Sequence, residues 1–128
     1  MANENRVAVV IPFFGKWPVY FDIFLKSCTF NSDFIDYIFF TDLTPPNAPP
    51  SNVVFHPLSL SDFNKRATAV LDLKINIKQP YKLCDFKPTY GLIFKPYLIK
   101  YDYWGHGDED IVLGRMKHHL QPLIEEGY

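Results

Sequence analysis

No stretch of this 128-residue sequence approaches the ~20 consecutive apolar residues that a membrane-crossing helix needs. Its start, MANENRVAVVIPFF, also lacks the long apolar segment of a secretory leader. Cysteine is scarce: Cys28 and Cys84 are too few and too widely separated for a disulfide framework or a clustered zinc site. Both are expected as reduced core residues, and the protein as cytoplasmic with no membrane span. An excess of one charge is missing too. Thirteen basic and fourteen acidic residues leave a net charge of −1, so no long-range field attracts nucleic acid or an anionic membrane. Nucleic acid is therefore not an expected partner, and any anion must be held locally. A phosphate-binding P-loop is absent at Gly15-Lys16: no glycine precedes it at the required spacing, and Trp17 stands where Ser or Thr would hold Mg²⁺. There are no repeats and no domain linker.

What the chain does have is a core. Its apolar content of 48% and aromatic content of 17% suffice for one well-packed domain. Val7 to Phe14 is a continuous β-branched and aromatic run, as in a strand covered on both faces, with Pro12 marking its end. After Pro18, the residues Phe21, Phe24, Leu25 and Cys28 fall on one helical face. Ile35 to Asp42 reads as a second strand ending in Thr-Asp, PPNAPPSN as a surface loop, and Val53 to Phe55 as a short third strand. Ser61 is the expected N-cap of a helix carrying Phe63, Ala67, Val70 and Leu71. The alternating LDLKINIK that follows fits either a helix end or a half-exposed strand. Leu83, Phe86 and Tyr90 would share one helical face and Lys82 and Asp85 another, with Pro88 either kinking or starting that helix. A short strand then leads through Tyr103 and Trp104 into an acidic cluster. Strands alternating with helices define an α/β class: a Rossmann-like, doubly wound, mostly parallel sheet.

In open α/β sheets, ligands bind beyond the carboxyl ends of the strands. Three polar features fall there: the FFGK turn, Thr41-Asp42, and the cluster Asp108, Glu109 and Asp110. On extended chain Asp108 and Asp110 point the same way and Glu109 points elsewhere. Two carboxylates on one side suit a hard divalent cation, Mg²⁺ or Mn²⁺, that keeps positions open for phosphate oxygens. The plain alternatives are solvated loop acids and, for Lys82 and Asp85, a surface ion pair. Arg115, Lys117, His118 and His119 read as a solvated helix face, and His106 as an exposed turn residue.

The order of elements, with an aspartate ending the second strand and D-x-D after a later one, resembles the nucleotide-binding half of GT-A glycosyltransferases. The segments IPFFGKWPVYFDIFLKSC, YIFFTD, YKLCDFKPTYGLIF and YDYWGHGDEDIVLG together resemble a bacterial family of glycosyltransferase-like proteins linked to surface-polysaccharide synthesis. The resemblance runs from about Val7 to Tyr128, and its most specific parts are K-x-x-D-F-K-P and W-G-x-x-D-x-D. It implies that Asp108 and Asp110 are metal ligands, the cation bridging to the diphosphate of a sugar nucleotide such as a UDP-sugar. It also implies that Phe13, Phe14 and Asp42 border base and ribose, that Lys82 lies near phosphate, and that Asp85 lies near ribose or sugar hydroxyls. No catalytic residue is assigned, and the glycan acceptor stays unidentified. Enzymes of this kind are usually longer, so residues 1–128 are expected to be a single donor-binding domain truncated before the acceptor region. The apolar surface thereby exposed, Ile111, Val112 and Leu113 above all, leads to an expected homo-oligomer. The alternative is a non-catalytic binding or assembly module that keeps the fold without transfer activity. A phosphohydrolase is weaker, because no second carboxylate or histidine cluster accompanies the first.

Overall fold

The computed structural model describes residues 5–128. The reading of the amino terminus rests partly on residues 1–4, which lie outside the described residues. Four strands, β1 (Val7–Pro12), β2 (Ile35–Thr41), β3 (Val53–Pro57) and β4 (Tyr103–His106), form one sheet in the order β3-β2-β1-β4. Every neighbouring pair is parallel, with Val7 opposite Ile35 and Tyr103, and Tyr37 opposite Val53. The fold is thus the expected Rossmann-like α/β arrangement. The apolar runs VAVVIP and IDYIFFT occupy the two central strands, where both faces need cover, while the more polar β3 and β4 form the edges.

Side-chain alternation along the central strands divides the core into two layers. Ala8, Val10, Ile38 and Phe40 point to one face, where they meet Phe63 and Ala67 of helix α2 (Leu60–Leu71). The same layer takes Tyr90 and Ile93 of α3 (Tyr90–Ile93), Phe94, and Leu98 of α4 (Lys95–Leu98). Val7, Val9, Ile11, Tyr37 and Phe39 point to the other, against Phe21, Phe24, Leu25 and Cys28 of α1 (Phe21–Cys28). Met116, Leu120 and Ile124 of α5 (Met116–Glu125) join this second layer. Helices on both faces make the sheet doubly wound. Asp36 is the polar exception inside β2. Its carboxylate accepts hydrogen bonds from Asn5 Nδ2 at 2.8 Å and Tyr101 Oη at 2.5 Å, so the buried charge is not left unsolvated.

Three local expectations give way. The N-cap of α2 is Ser59, two residues before Ser61; its Oγ accepts from Asp62 N at 3.0 Å. Residues 73–79 are neither helix nor strand. They run beside α2, where Asn64 bonds both the N–H and the C=O of Ile77, and Thr68 both groups of Ile75. Side chains on a helix thus supply the hydrogen bonds a neighbouring strand would have given, and the alternation survives with Ile75 and Ile77 inward. Finally, Cys28 is buried as expected but Cys84 is exposed.

Candidate functional site

The segment expected as an α-helix over Lys82 to Tyr90 is a 3₁₀ helix, Pro80–Thr89, followed directly by α3. Two prolines, Pro80 and Pro88, remove N–H donors, and Pro88 obstructs the i→i−4 ladder an α-helix would need. The change of winding decides which side chains reach the site. In a 3₁₀ helix residues three apart eclipse one another. Tyr81, Cys84 and Lys87 therefore share the side that faces the sheet's carboxyl end. Lys82 and Asp85 share another side and line a separate depression with residues 74–79. Lys82 Nζ lies 5.3 Å from the ring centre of Tyr81.

The order 3-2-1-4 puts the topological switch between β1 and β4, and a cleft of about 310 Å³ opens there. Phe13 and Phe14 after β1, Gly107, Asp108 and Glu109 after β4, and Tyr81, Cys84 and Lys87 of the 3₁₀ helix line it. Tyr90, from the buried layer, closes the floor and donates its hydroxyl to Leu83 O at 3.2 Å, holding the 3₁₀ helix in place. Gly107 carries the chain over β1, its N–H bonded to Val10 O at 3.2 Å. A Cβ there would sit 2.6 Å from Val9 Cγ1, so only glycine permits the approach. Downstream, Asn31 fixes the outgoing chain: Nδ2 donates to Gly114 O, and Oδ1 accepts from Met116 N, the first residue of α5.

Within the cleft Lys87 Nζ donates to both carboxylate oxygens of Asp108, each at 3.1 Å. Burial alone would lower the lysine's pKa, but the hydrogen bond and charge of Asp108 outweigh it, and the net shift is upward. A pair this open to water contributes on the order of 1 kcal/mol or less, so it can be exchanged for other partners. Lys87 was missed in the sequence because an α-helical period aims Lys82 at the site. The stretch YKLCDFK contained the signal, since Tyr81, Cys84 and Lys87 recur at intervals of three.

The acidic cluster is not extended. Glu109 and Asp110 form a turn, so the alternation that would align Asp108 with Asp110 does not apply. Asp108 and Glu109 line the cleft, whereas Asp110 is exposed beyond it. Asp42 is exposed at the end of β2 and likewise lies outside the cleft lining. Of Ile111, Val112 and Leu113, the first two are exposed and Leu113 packs on the second core layer.

Burial raises the pKa of Glu109, and the charges of Asp110 and Asp108 add to the shift. A carboxyl whose folded value is raised keeps a proton that the unfolded chain releases; its contribution to stability is complete below the ordinary pKa and is lost as pH rises through the folded value. Glu109→Gln should therefore raise the melting temperature at pH 7 and bring no gain at about pH 4. Melting curves at the two pH values check this, and an equal gain at both would show that charge is not the cause.

As cation ligands, Asp108 and its neighbours offer the right atom type but few of them. Among the described residues, no group of three or more His, Cys, Asp or Glu is placed to hold a metal. One or two carboxylates suffice for Mg²⁺ or Mn²⁺ only when phosphate oxygens and water complete the shell. The residues present therefore fit a cation that arrives with a diphosphate, not one caged by protein alone.

A larger open groove of about 680 Å³ lies at Asp33, Arg115, Lys117, His118 and His119, towards the amino ends of the strands. Its histidines are exposed, as the sequence suggested.

The geometry defines a parallel, doubly wound α/β domain with a cleft of mixed aromatic and charged lining at the β1/β4 switch point. Residues 9–128 match the family of unknown function DUF6625, and the chain belongs to that family. No curated protein and no solved structure matches it. Among the described residues, no helix is long and apolar enough to cross a membrane.

Proposed function

We propose that this chain is a glycosyltransferase-like domain that binds a nucleoside-diphosphate sugar, a UDP-sugar by preference, in the β1/β4 cleft together with Mn²⁺ or Mg²⁺. The observation that carries the reading is the opposition of Lys87 and Asp108 in a switch-point cleft walled by Phe13, Phe14 and Tyr81. Aromatic faces suit a planar base, an ammonium suits phosphate, and a carboxylate suits a cation. Asp108 is the principal proposed ligand, with Asp110 as the second carboxylate of the D-x-D pair and Asp42 towards the nucleoside. When bound, the cation would offset charge on the departing diphosphate. Lys87 takes the phosphate contact that Lys82, on the far side of the 3₁₀ helix, is poorly placed to make. Cytoplasmic location belongs to the same proposal, as does self-association through the exposed Ile111 and Val112, which light scattering would detect.

Cys84 provides a direct test. It is exposed and lines the cleft, whereas Cys28 is buried and its thiol is pushed up to about 12 by burial. An aromatic disulfide reagent should titrate one thiol in the native protein and two in denaturant. UDP with MnCl₂ should slow the native reaction at Cys84 severalfold. Protection that fails at saturating UDP and MnCl₂ would count against binding in this cleft. Hydrolysis of a UDP-sugar, absent despite protection, would favour the non-catalytic module over a transferase.

A further inference from the structure

Lys87 is the one cationic side chain among the described residues lining the cleft, and both oxygens of its Asp108 partner are committed to it at 3.1 Å. The lysine side chain keeps 22% of its exposure and the aspartate 40%, so neither is freely solvated once the cleft fills. A ligand that engages one of them strands the other. A cation on Asp108 would leave the ammonium without a partner. A diphosphate on Lys87 would leave Asp108, with Glu109 beside it, facing a second anion. We infer that the Lys87–Asp108 pair is an exchange latch, which disfavours a free divalent cation and a free nucleoside diphosphate separately and admits them together. Only the two together satisfy both side chains: Asp108 turns to the cation and Lys87 to the phosphate. The inference rests on the nucleotide-binding reading above and adds to it a device for selecting the metal-loaded nucleotide.

The consequence is a coupling free energy between two ligands, which linkage requires to be reciprocal. It makes an unusual demand on Asp108→Asn. The amide cannot neutralise Lys87, so the lysine is released for phosphate even without a cation. Calorimetry with UDP and a chelator should show this variant binding metal-free UDP several times more tightly than the wild type. Added MnCl₂ should tighten UDP binding about a hundredfold in the wild type and leave the variant unchanged. In Lys87→Met the opposite half is exposed: Mn²⁺ alone, followed by its paramagnetic resonance signal, should bind more tightly than to the wild type, while metal-free UDP binding weakens. Lys87→Arg should retain the coupling, and circular dichroism confirms that each variant is folded. If wild-type protein binds UDP with MnCl₂ but Asp108→Asn gains nothing for metal-free UDP, the latch is overturned and the nucleotide site stands. If UDP binds none of the proteins under any condition, the nucleotide reading falls and the latch with it.

Discussion

Asp108→Asn will lower UDP affinity measured in MnCl₂ by about tenfold or more, within the range that loss of even a supporting group costs at a metal site. Asp108 is the carboxylate that the cleft holds beside Lys87, and an amide is a much poorer ligand for a hard cation. Asp110→Asn should fall next in order. Glu109→Gln should cost less, because burial penalises the charge of Glu109 and the proposed D-x-D pair does not include it. Titrations of the three variants with UDP in MnCl₂ give the ranking directly. Wild-type affinity that survives a chelator unchanged would remove the cation from the site. A greater loss in Glu109→Gln than in Asp110→Asn would make Glu109 the second ligand, as its place in the cleft lining allows.

Phe94→Ala will destabilise the fold by about 3–5 kcal/mol. Phe94 is fully buried and its ring stacks on Phe40 with centroids 4.0 Å apart, with Phe63 and Tyr90 packed around it. No neighbour can collapse into the volume without breaking those contacts. Against a total of ~5–15 kcal/mol for a domain, the loss is a large fraction. The melting temperature should drop by roughly 10–20 °C. Leu92→Ala, on the exposed side of α3, should stay within about 0.5 kcal/mol of the wild type. Thermal unfolding followed by circular dichroism compares them, and equal melting temperatures would contradict the packing described here. The effect extends to the site, since α3 carries Tyr90, whose hydroxyl holds the 3₁₀ helix and with it Lys87.

The class of fold was legible in local pattern. VAVVIP and IDYIFFT are apolar without interruption because both faces of a central parallel strand are covered, and that requirement is written residue by residue. The helix over Phe21 to Cys28 was equally plain, since a single amphipathic period determines which face is buried. The acidic cluster was recognisable as a feature of a strand's carboxyl end, as were Phe13 and Phe14, because the site position follows from the order of elements.

What tertiary structure decided was how the chain winds and turns at the site. An α-helical period and a 3₁₀ period differ by 0.6 residue per turn. Over the segment from Pro80 to Thr89, that difference replaces Lys82 and Asp85 with Tyr81, Cys84 and Lys87 on the cleft side. The same limit applies to D-x-D: two carboxylates two residues apart align on a strand, but here the chain turns at Glu109 and Asp110. The bonds of residues 73–79 to Asn64 and Thr68 depend on how that segment folds back along α2, and the anchoring of Gly114 and Met116 by Asn31 joins positions more than 80 residues apart. The sequence by itself determined the layers, the central strands and the end of the sheet where a ligand would sit, because burial and periodicity are local demands. The pairing of Lys87 with Asp108, 21 residues apart, depended on where packing placed two separate backbones, and no local pattern records that.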